Sequence, residues 1–415
     1  MNKTKLANVA FFTLMVTIFL SLNDVVYQLF GVGQFGSPLI LICCFLMLAG
    51  VKISYESFNS VGIKLWYLLY LFYTLVGSIA RGLNINTVYE IDLYDIFQKI
   101  ITSMIIIFSV HQFVYNRIVM EDKKKLVFYS IFIPIVLSCG YAVYQGMSGI
   151  VSVTGEEFGR VMGVFSNPNG LGLVSNVCVM MAIYSIYADK GYMLLKAAVL
   201  IMGLYVSFLS LSRSAIITSA FILILSVVWF SIKLLKINKN ARRKYLFITG
   251  LPILSIVYLV NNFEDILSTY TDYGQSQKIL GMVDLVFKGK VTAENTSDRA
   301  QVYKIGIDNI IEHPLIGSGL GFCEKFPAST GYNYGCHNTF ILIFGNSGVF
   351  VFILYLTLIG YVAYKSFFIN PIYGFFSIGM ISIWALQNLG SHNGLDEKMD
   401  NILITVAILF LVKKK

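Results

Sequence analysis

Apolar segments of membrane-spanning length recur along almost the whole chain, and no other feature restricts its fold as strongly. Hydrophobic residues make up 57% of the sequence and charged residues only 13%, where a soluble domain carries about 25% charged residues. Within a bilayer only helices and closed barrels satisfy their backbone hydrogen bonds, and a helix needs about 20 apolar residues to cross. We therefore predict an all-α polytopic membrane protein with twelve spans. The predicted spans are residues 8–23, 37–52, 64–80, 98–115, 126–146, 170–188, 192–211, 214–234, 246–262, 338–362, 371–389 and 399–412.

Basic residues are divided unevenly between the two sides of this predicted bundle. With the N-terminus placed in the cytoplasm, 20 of the 31 basic residues but only four of the 22 acidic residues fall on the same side of the membrane as the N-terminus. Short loops rich in lysine and arginine mark the cytoplasmic side of a membrane protein. Both termini are therefore expected in the cytoplasm. The first apolar run, Val9 to Leu22, is expected to remain as a helix because no small-residue cleavage site follows it.

The predicted spans divide the chain into three parts. Residues 1–262 carry the first nine spans, residues 263–337 form one long outer loop with short helices, and residues 338–415 carry the last three spans. The cytoplasmic loops are short, and the sequence lacks a Walker lysine motif and a dinucleotide-binding glycine fingerprint. Its basic residues are not interleaved with aromatic residues as on a nucleic-acid-binding surface. We therefore expect neither ATP-driven work nor a nucleic-acid partner.

Arg213 lies in the segment LSLSRSAIIT, between two predicted spans and at the predicted outer face. A cation at that position needs an anion or a group of carbonyls beside it. One interpretation is an arginine that snorkels to the interface and marks a helix end. We favour a phosphate ligand, because most such anchors here lie at cytoplasmic ends and a guanidinium matches phosphate bidentately.

A second arginine, Arg299, begins a predicted amphipathic helix in the long loop. Ser297 or Thr296 can cap this helix, and Pro314 ends it. Its predicted apolar face consists of Ala300, Tyr303, Ile307, Ile310 and Ile311. Exposed amides at a helix N-terminus favour anions, so Arg299 is a second candidate phosphate ligand. Taken alone, a structural salt bridge is the simpler explanation for it.

His337 and Asn338 open the tenth predicted span, after the glycine-rich segment 331–335. A histidine at a membrane boundary is commonly an interfacial polar residue. This one also ends the polar loop, and a neutral imidazole suits a general base for a hydroxyl group. Of the other histidines, His392 is a weaker candidate, His313 is a helix-stop residue, and His111 lies near the cytoplasmic end of the fourth span. Because the histidines are dispersed without metal-ligand spacing, we expect no metal site, although this spacing leaves open a divalent ion held by aspartate or glutamate. We also expect no cofactor.

Two of the six cysteines, Cys323 and Cys336, fall in the long outer loop. They are expected to form a disulfide in an oxidising compartment. The other four lie in apolar spans and are interpreted as packing residues.

Four segments carry a family resemblance through their order and topology. They are GRVMGVFSNPNGLG at 159–172, LSRSA at 211–215, SDRAQVYKIGIDNIIEHPLIGSGLGF at 297–322 and HNTFILIFGNSGVFVFILY at 337–355. Together they resemble the O-antigen ligase/polymerase superfamily of bacterial envelope glycosyltransferases. The resemblance implies a GT-C-like helical fold in the bacterial inner membrane and an undecaprenyl-pyrophosphate-linked glycan donor. It also implies metal-independent transfer with inversion at the anomeric carbon.

The resemblance also implies roles for individual residues. Its outer-face arginine, loop-helix arginine and loop-end histidine correspond to Arg213, Arg299 and His337, which we assign as catalytic. As substrate-binding residues we assign Arg160, Asn167, Asn169, Asn338 and Tyr303.

Within the superfamily we favour a Wzy-type polymerase, which joins one lipid-linked repeat unit to another. Its expected partners are the lipid-linked donor and acceptor, membrane lipid and a chain-length regulator protein. A ligase, which moves the finished glycan to lipid A–core, is an alternative, and these residues do not distinguish it from a polymerase. A lipid-linked oligosaccharide flippase or other transporter would show internal repeats and mid-membrane charges, and none is evident here. A cell-division-type peptidoglycan polymerase would use an outer-loop acid, Asp298 or Glu312.

Overall fold

Helices account for nearly all the regular structure of the chain. The computed structural model describes residues 2–30, 36–84, 87–150, 160–189, 191–234, 250, 299–332, 334–390, 395 and 397–412. Every regular element within these ranges is helical. The α-helices are α1 (Lys3–Phe19), α2 (Leu22–Phe30), α3 (Gly36–Ala49), α4 (Val61–Leu83), α5 (Leu93–Tyr115), α6 (Lys124–Met147), α7 (Pro168–Ala188), α8 (Met193–Leu209), α9 (Arg213–Leu234), α10 (Arg299–Glu312), α11 (Thr339–Ser366), α12 (Pro371–Asn388) and α13 (Lys398–Phe410).

Helices occupy eleven of the twelve predicted span positions in the described part of the chain. Six of them are long and apolar enough to cross a membrane: α4, α5 with its π-helical continuation to Met120, α6, α7, α9 and α11. The prediction of an all-helical, polytopic membrane protein is therefore confirmed. The predicted span 246–262 lies outside the described residues, apart from Gly250. The twelve-span layout, the GT-C likeness and the division at residues 262 and 337 stay predictions.

Helix α7 is the interior helix of the bundle. Buried residues make up 94% of its apolar stretch, against 39–50% in the other five long helices. Asn167 caps its first turn and Pro168 occupies the position after the cap, where a missing N–H costs nothing. Polar side chains join it to its neighbours: the Ser219 hydroxyl of α9 donates to Asn176 Oδ1 at 2.5 Å. Such bonds hold helices together where lipid and side chains are equally apolar.

The glycine run at 317–321 docks the segment after α10 onto the membrane helices. Gly317 and Gly319 have φ angles of +75° and +104°, which side chains other than glycine rarely adopt. The Gly319 N–H donates to the Asn346 carbonyl at 3.1 Å, and the Leu320 N–H donates to the Gly77 carbonyl at 3.0 Å. A Cβ on Gly319 would lie 2.4 Å from the Arg81 backbone. The glycines are therefore required for close backbone contact.

A buried polar network secures the same segment, and we call it the loop-anchoring network (Tyr73, Glu324 and Asn346). The Glu324 carboxylate accepts hydrogen bonds from the Tyr73 hydroxyl at 3.0 Å and from Asn346 Nδ2 at 2.7 Å. Asn346 Oδ1 accepts the Cys323 N–H at 3.0 Å. Each of these groups has a bonding partner, so the network holds the loop without leaving a buried polar atom unsatisfied.

Helix α11 is broken at Gly348, where φ is +75° and ψ is −176°. The Val349 N–H donates to the Pro314 carbonyl at 3.0 Å, so the chain after α10 packs into the break. The sequence predicted one span here. The part of α11 before Gly348 packs with the docked loop.

The predicted apolar face of α10 is wrong in part. The face packed against α11 contains Val302, Gly306 and Asn309, with Asn309 Nδ2 donating to the Gly345 carbonyl at 3.3 Å. Ile307 and Ile311 are exposed. Small and polar residues fit this interface because the helix approaches a helix backbone closely: a Cβ on Gly306 would lie 2.5 Å from the Ile341 side chain.

Candidate functional site

A cavity of about 620 Å³ opens at one end of the helix bundle. Its wall is built from the α1–α2 turn, the start of α3, the segment 160–170, Ser214, His337, the end of α12 and the start of α13. At the opposite end of α1, Asn8 accepts a hydrogen bond from Arg117, which also pairs with Glu121. The cavity therefore lies away from the end that carries Arg117 and the Lys123–Lys125 run.

Arg160 lines the cavity and is fixed by the turn between α8 and α9. Its Nε donates to the Ser210 carbonyl at 2.9 Å, and the next residue, Val161, donates its N–H to the Leu209 carbonyl at 3.3 Å. Leu211 in the same turn has a φ of +48°, an uncommon conformation for a residue with a Cβ. The turn thus holds a cation at the cavity wall.

Asn167 and Asn169 also line the cavity, and both have structural bonds. Asn167 Oδ1 accepts the Asn169 N–H at 2.7 Å, which caps α7. Asn169 Oδ1 accepts the Ser212 hydroxyl at 3.0 Å, which ties α7 to the start of α9. The N-termini of α7 and α9 are thereby brought together at one wall, where exposed helix amides favour an anion.

The two arginines that were predicted to be catalytic, Arg213 and Arg299, each begin a helix. Arg213 is the first residue of α9 and is half-buried; its neighbour Ser214 lines the cavity, whereas Arg213 is not among the lining residues. Arg299 is the first residue of α10, and its side chain lies outside the described part of the structure.

His337 lines the cavity. Its φ is +46°, and its ring lies 5.5 Å from the Tyr334 ring, centroid to centroid. The Tyr303 hydroxyl lies 3.4 Å from the His337 carbonyl and donates to the Leu389 carbonyl at 3.1 Å. Tyr303 thus joins α10 to the backbone of His337 and to the end of α12. It positions the wall and is not itself a lining residue.

Asn338 caps α11 and does not line the cavity. Its Oδ1 accepts the N–H groups of Phe340 at 2.9 Å and Ile341 at 3.2 Å. The sequence predicted Asn338 as a substrate ligand; the structure shows its oxygen occupied by the helix start, which fixes the chain direction just after His337.

Sequence reasoning missed the acidic side of the cavity. Asp24 Oδ2 accepts the Ser21 hydroxyl at 2.6 Å and the Ser166 N–H at 3.2 Å, which joins the α1–α2 turn to the segment before α7. Glu397, Lys398 and Asp400 line the wall at the start of α13. Burial raises the pKa of the Glu397 carboxyl above its ordinary value, and Lys398 opposes this in part. An ionisable residue inside a predicted span, as Asp400 is, was the signal that could have found this wall.

The remaining sequence candidates lie elsewhere. His313 follows the end of α10, as predicted, and His111 is buried beside Tyr67, with Nδ1 3.2 Å from its hydroxyl. His392 and Asp298 fall outside the described residues, and Glu312 does not line the cavity. Within the described ranges, no group of three or more histidine, cysteine or acidic residues has the arrangement of a metal site.

The expected disulfide is corrected by the structure, because Cys323 and Cys336 are both free and buried. The Cys336 N–H donates to the Cys323 carbonyl at 3.0 Å, so the two residues are paired through the backbone. The hydrogen bond to the Cys336 thiol, together with burial, raises the pKa of the Cys323 thiol well above its usual value.

Comparison with known proteins gives a family match for part of the chain. No curated protein sequence gives a significant match to the chain. Residues 197–356, from α8 through α11, match the family model Wzy_C, described as O-antigen ligase. This segment contains Arg213, Arg299, Tyr303 and His337. Residues 197–356 are thus a Wzy_C O-antigen ligase family domain, within a chain whose described part has six helices long and apolar enough to cross a membrane.

Proposed function

We propose that this protein polymerises undecaprenyl-pyrophosphate-linked oligosaccharide repeat units on the outer face of the bacterial inner membrane. The observation that carries the proposal is that His337 and Arg160 share one cavity, at the end of the bundle away from Arg117 and Lys123–Lys125. A base and a cation at one site suit transfer of a glycan from a phosphate leaving group. Both termini then lie in the cytoplasm.

The cationic wall suits the pyrophosphate of the donor. Arg160 is held there by the Ser210 carbonyl, and the N-termini of α7 and α9 lie at the same wall. Arg213 begins α9 beside it, and Arg299 begins α10. Guanidinium groups bind phosphate oxygens bidentately and stabilise the charge that develops on the departing pyrophosphate.

The base in this reaction is His337. An acceptor hydroxyl attacks the anomeric carbon of the donor sugar from the face opposite the pyrophosphate, so the configuration inverts. The hydroxyl proton passes to the His337 imidazole while the carbon–oxygen bond to the pyrophosphate breaks. Undecaprenyl pyrophosphate leaves, and the chain grows by one repeat unit. No cofactor enters this scheme, and a chain-length regulator protein is a partner outside the catalytic step.

The test is transfer by the purified protein in lipid nanodiscs. The substrate is the lipid-linked repeat unit isolated from the source strain, with EDTA present. His337→Ala should abolish chain extension and leave donor binding intact, because the arginines carry the binding. His313→Ala, outside the cavity, is the matched control and should behave as wild type. Wild-type turnover by His337→Ala, or loss of wild-type activity in EDTA, would show that the imidazole mechanism is wrong.

A ligase is the second candidate, and the description of the matching family favours it. The same donor chemistry would then deliver the glycan to a lipid A–core acceptor. Adding lipid A–core to the transfer assay separates the two activities. Products that contain lipid A–core, with no lengthened lipid-linked glycan, would establish a ligase and exclude the polymerase.

A further inference from the structure

Three buried polar atoms at one wall of the cavity have no hydrogen-bond partner within the described parts of the chain. They are Gln387 Nε2 and Asn388 Oδ1 at the end of α12, and Asp400 Oδ1 in the first turn of α13. The three residues are 6%, 0% and 5% exposed, and all three line the cavity. We call them the unsatisfied wall. A buried polar atom that stays unpaired destabilises the folded state.

The surrounding residues hold this wall in place. Asn388 Nδ2 donates to the Tyr355 hydroxyl at 3.3 Å, so one end of the amide is bonded while its oxygen is not. Asn401, next to Asp400, is bonded at both ends: its Oδ1 accepts the Tyr70 hydroxyl at 2.5 Å and its Nδ2 donates to the Leu395 carbonyl at 3.1 Å. The unpaired atoms therefore belong to an ordered wall and not to a loosely packed one.

The chemistry of the three atoms selects the ligand. Gln387 Nε2 donates and Asn388 Oδ1 accepts, while a carboxyl oxygen accepts when ionised and can donate when protonated. Sugar hydroxyl groups both donate and accept, so they match all three atoms. A phosphate offers mainly acceptor oxygens, and it would face the Asn388 amide oxygen and the carboxyl groups of Asp400 and Glu397. A lipid chain would leave all three atoms unpaired. Two lysine or arginine residues of the described chain line the cavity: Arg160 on the segment before α7, and Lys398 at the start of α13. The Arg160 side of the cavity also holds the N-termini of α7 and α9.

We propose that Gln387, Asn388 and Asp400 form the subsite that binds the hydroxyl groups of a sugar ring of the glycan substrate. This proposal rests on the proposed function, because it places a glycan in the same cavity. It divides the cavity into two parts: a cationic wall for the pyrophosphate and an unsatisfied wall for the sugar. His337 lines the cavity that both walls share.

Two lipids that differ only in the sugar test this division. Binding of undecaprenyl pyrophosphate and of the lipid-linked repeat unit is measured in nanodiscs, in the His337→Ala background to prevent turnover. Asp400→Leu, Asn388→Leu and Gln387→Met should each weaken binding of the sugar-bearing lipid by about tenfold. Affinity for the bare pyrophosphate lipid should not change. Ser138→Ala is the control, because its hydroxyl is also buried and unpaired but lies in α6, outside the cavity.

Several outcomes would overturn the proposal. The proposal is wrong if the cavity with an intact wall binds both lipids equally. It is also wrong if the wall variants leave unchanged the ratio of the affinities for the sugar-bearing and the bare pyrophosphate lipid, as expected if the wall holds water alone. A parallel loss for both lipids would indicate general damage to the cavity. If a leucine variant does not fold, Asp400→Asn takes its place, and its affinities for the two lipids are compared in the same way. Failure of the two proposals is distinguishable: a wild type that binds the sugar-bearing lipid but never transfers it refutes only the proposed function. A wild type that transfers normally, with an unchanged ratio in the variants, refutes only the sugar subsite.

Discussion

The loop-anchoring network and the unsatisfied wall are both buried and polar, yet they differ in one respect. In the network, Glu324 and Asn346 bond to each other, to Tyr73 and to backbone N–H groups. In the wall, Asn388 and Asp400 each keep an oxygen without a partner among the described residues. Polar groups that satisfy one another maintain a shape, whereas ordered groups left unpaired in a cavity indicate a ligand. In this protein, whether a polar group is hydrogen-bonded distinguishes a structural region from a candidate binding site better than its residue type or burial does.

Arginines show the same distinction. Arg81, at the end of α4, donates to the Leu320 and Ile91 carbonyls at 2.9 Å and stacks on Tyr89. It holds the docked loop and lies outside the cavity. Arg160 lies at the cavity wall with its Nε on a turn carbonyl. An arginine at the predicted outer face is therefore not in itself a sign of phosphate binding.

The largest expected effect comes from the break in α11. Gly348→Ala would place a Cβ 2.1 Å from the Leu315 carbonyl oxygen at a positive φ, and should lower the free energy of unfolding by about 3 kcal/mol or more. Gly360→Ala in the same helix, where a Cβ meets nothing within 4 Å, is the control. It should be neutral or stabilising by about 0.5–1 kcal/mol. Thermal unfolding in detergent measures both, and equal midpoints would contradict the account of the break.

A matched pair of substitutions tests the comparison directly. Asn346→Leu removes three hydrogen bonds of the loop-anchoring network, those to the Cys323 N–H, the Tyr73 hydroxyl and the Glu324 carboxylate, so it should cost about 3 kcal/mol of stability. Asn388→Leu removes one long bond and an unpaired oxygen, and should change stability by less than about 1 kcal/mol. Binding of the sugar-bearing lipid should nevertheless weaken by about tenfold in Asn388→Leu. A wall variant that is as destabilised as the network variant would remove the distinction between the two regions.

A smaller effect is expected at Tyr303. Tyr303→Phe removes the hydroxyl that contacts the Leu389 and His337 carbonyls, so the wall near His337 loosens while its chemistry remains. Turnover should fall about tenfold, with substrate affinity nearly unchanged, since one neutral hydrogen bond contributes about 1 kcal/mol. Steady-state transfer kinetics separate the two parameters. Loss of affinity at unchanged turnover would make Tyr303 a direct ligand, as the sequence suggested.

The smallest effect concerns the neighbouring free thiols of Cys323 and Cys336. Because the pKa of Cys323 is raised, its reactive thiolate form is suppressed at neutral pH, and labelling of the folded protein by maleimide should be negligible. Mass spectrometry after denaturation should find both Cys323 and Cys336 labelled without a reductant. Labelling that needs a reductant would show that the pair is oxidised in the membrane.

Local sequence signals predicted much of this architecture. Hydropathy located the helices at eleven span positions, and asparagine before an apolar run corresponds to the caps at Asn167 and Asn338. His337 was chosen as a candidate site residue because its position at the end of the polar loop is visible in the sequence. Its cavity neighbours Asp24 and Asp400 are more than 300 positions apart, and only helix packing brings them to one wall.

The glycines of the motif HPLIGSGLGF were noted only for the family resemblance, and their structural role was not predicted. They serve backbone docking against α4 and α11. The apolar face of α10 was misassigned for a related reason. Hydrophobic periodicity ignores the close helix contact that Gly306 permits and the carbonyl that Asn309 satisfies.

Helix α3 has a consequence for how a lipid-linked substrate meets the cavity. It is only 14 residues long, or about 21 Å, whereas the hydrocarbon core of a bilayer is about 30 Å thick. Its outward residues Ile42 and Phe45 are exposed, and its first part, Gly36 and Ile40, lines the cavity. As the predicted second span, such a short lipid-facing helix is expected to thin the membrane around it by hydrophobic mismatch. Under the proposed function, the headgroup layer would then be drawn down at the cavity rim, and a polyprenyl pyrophosphate would reach Arg160 by lateral diffusion without being lifted out of the bilayer.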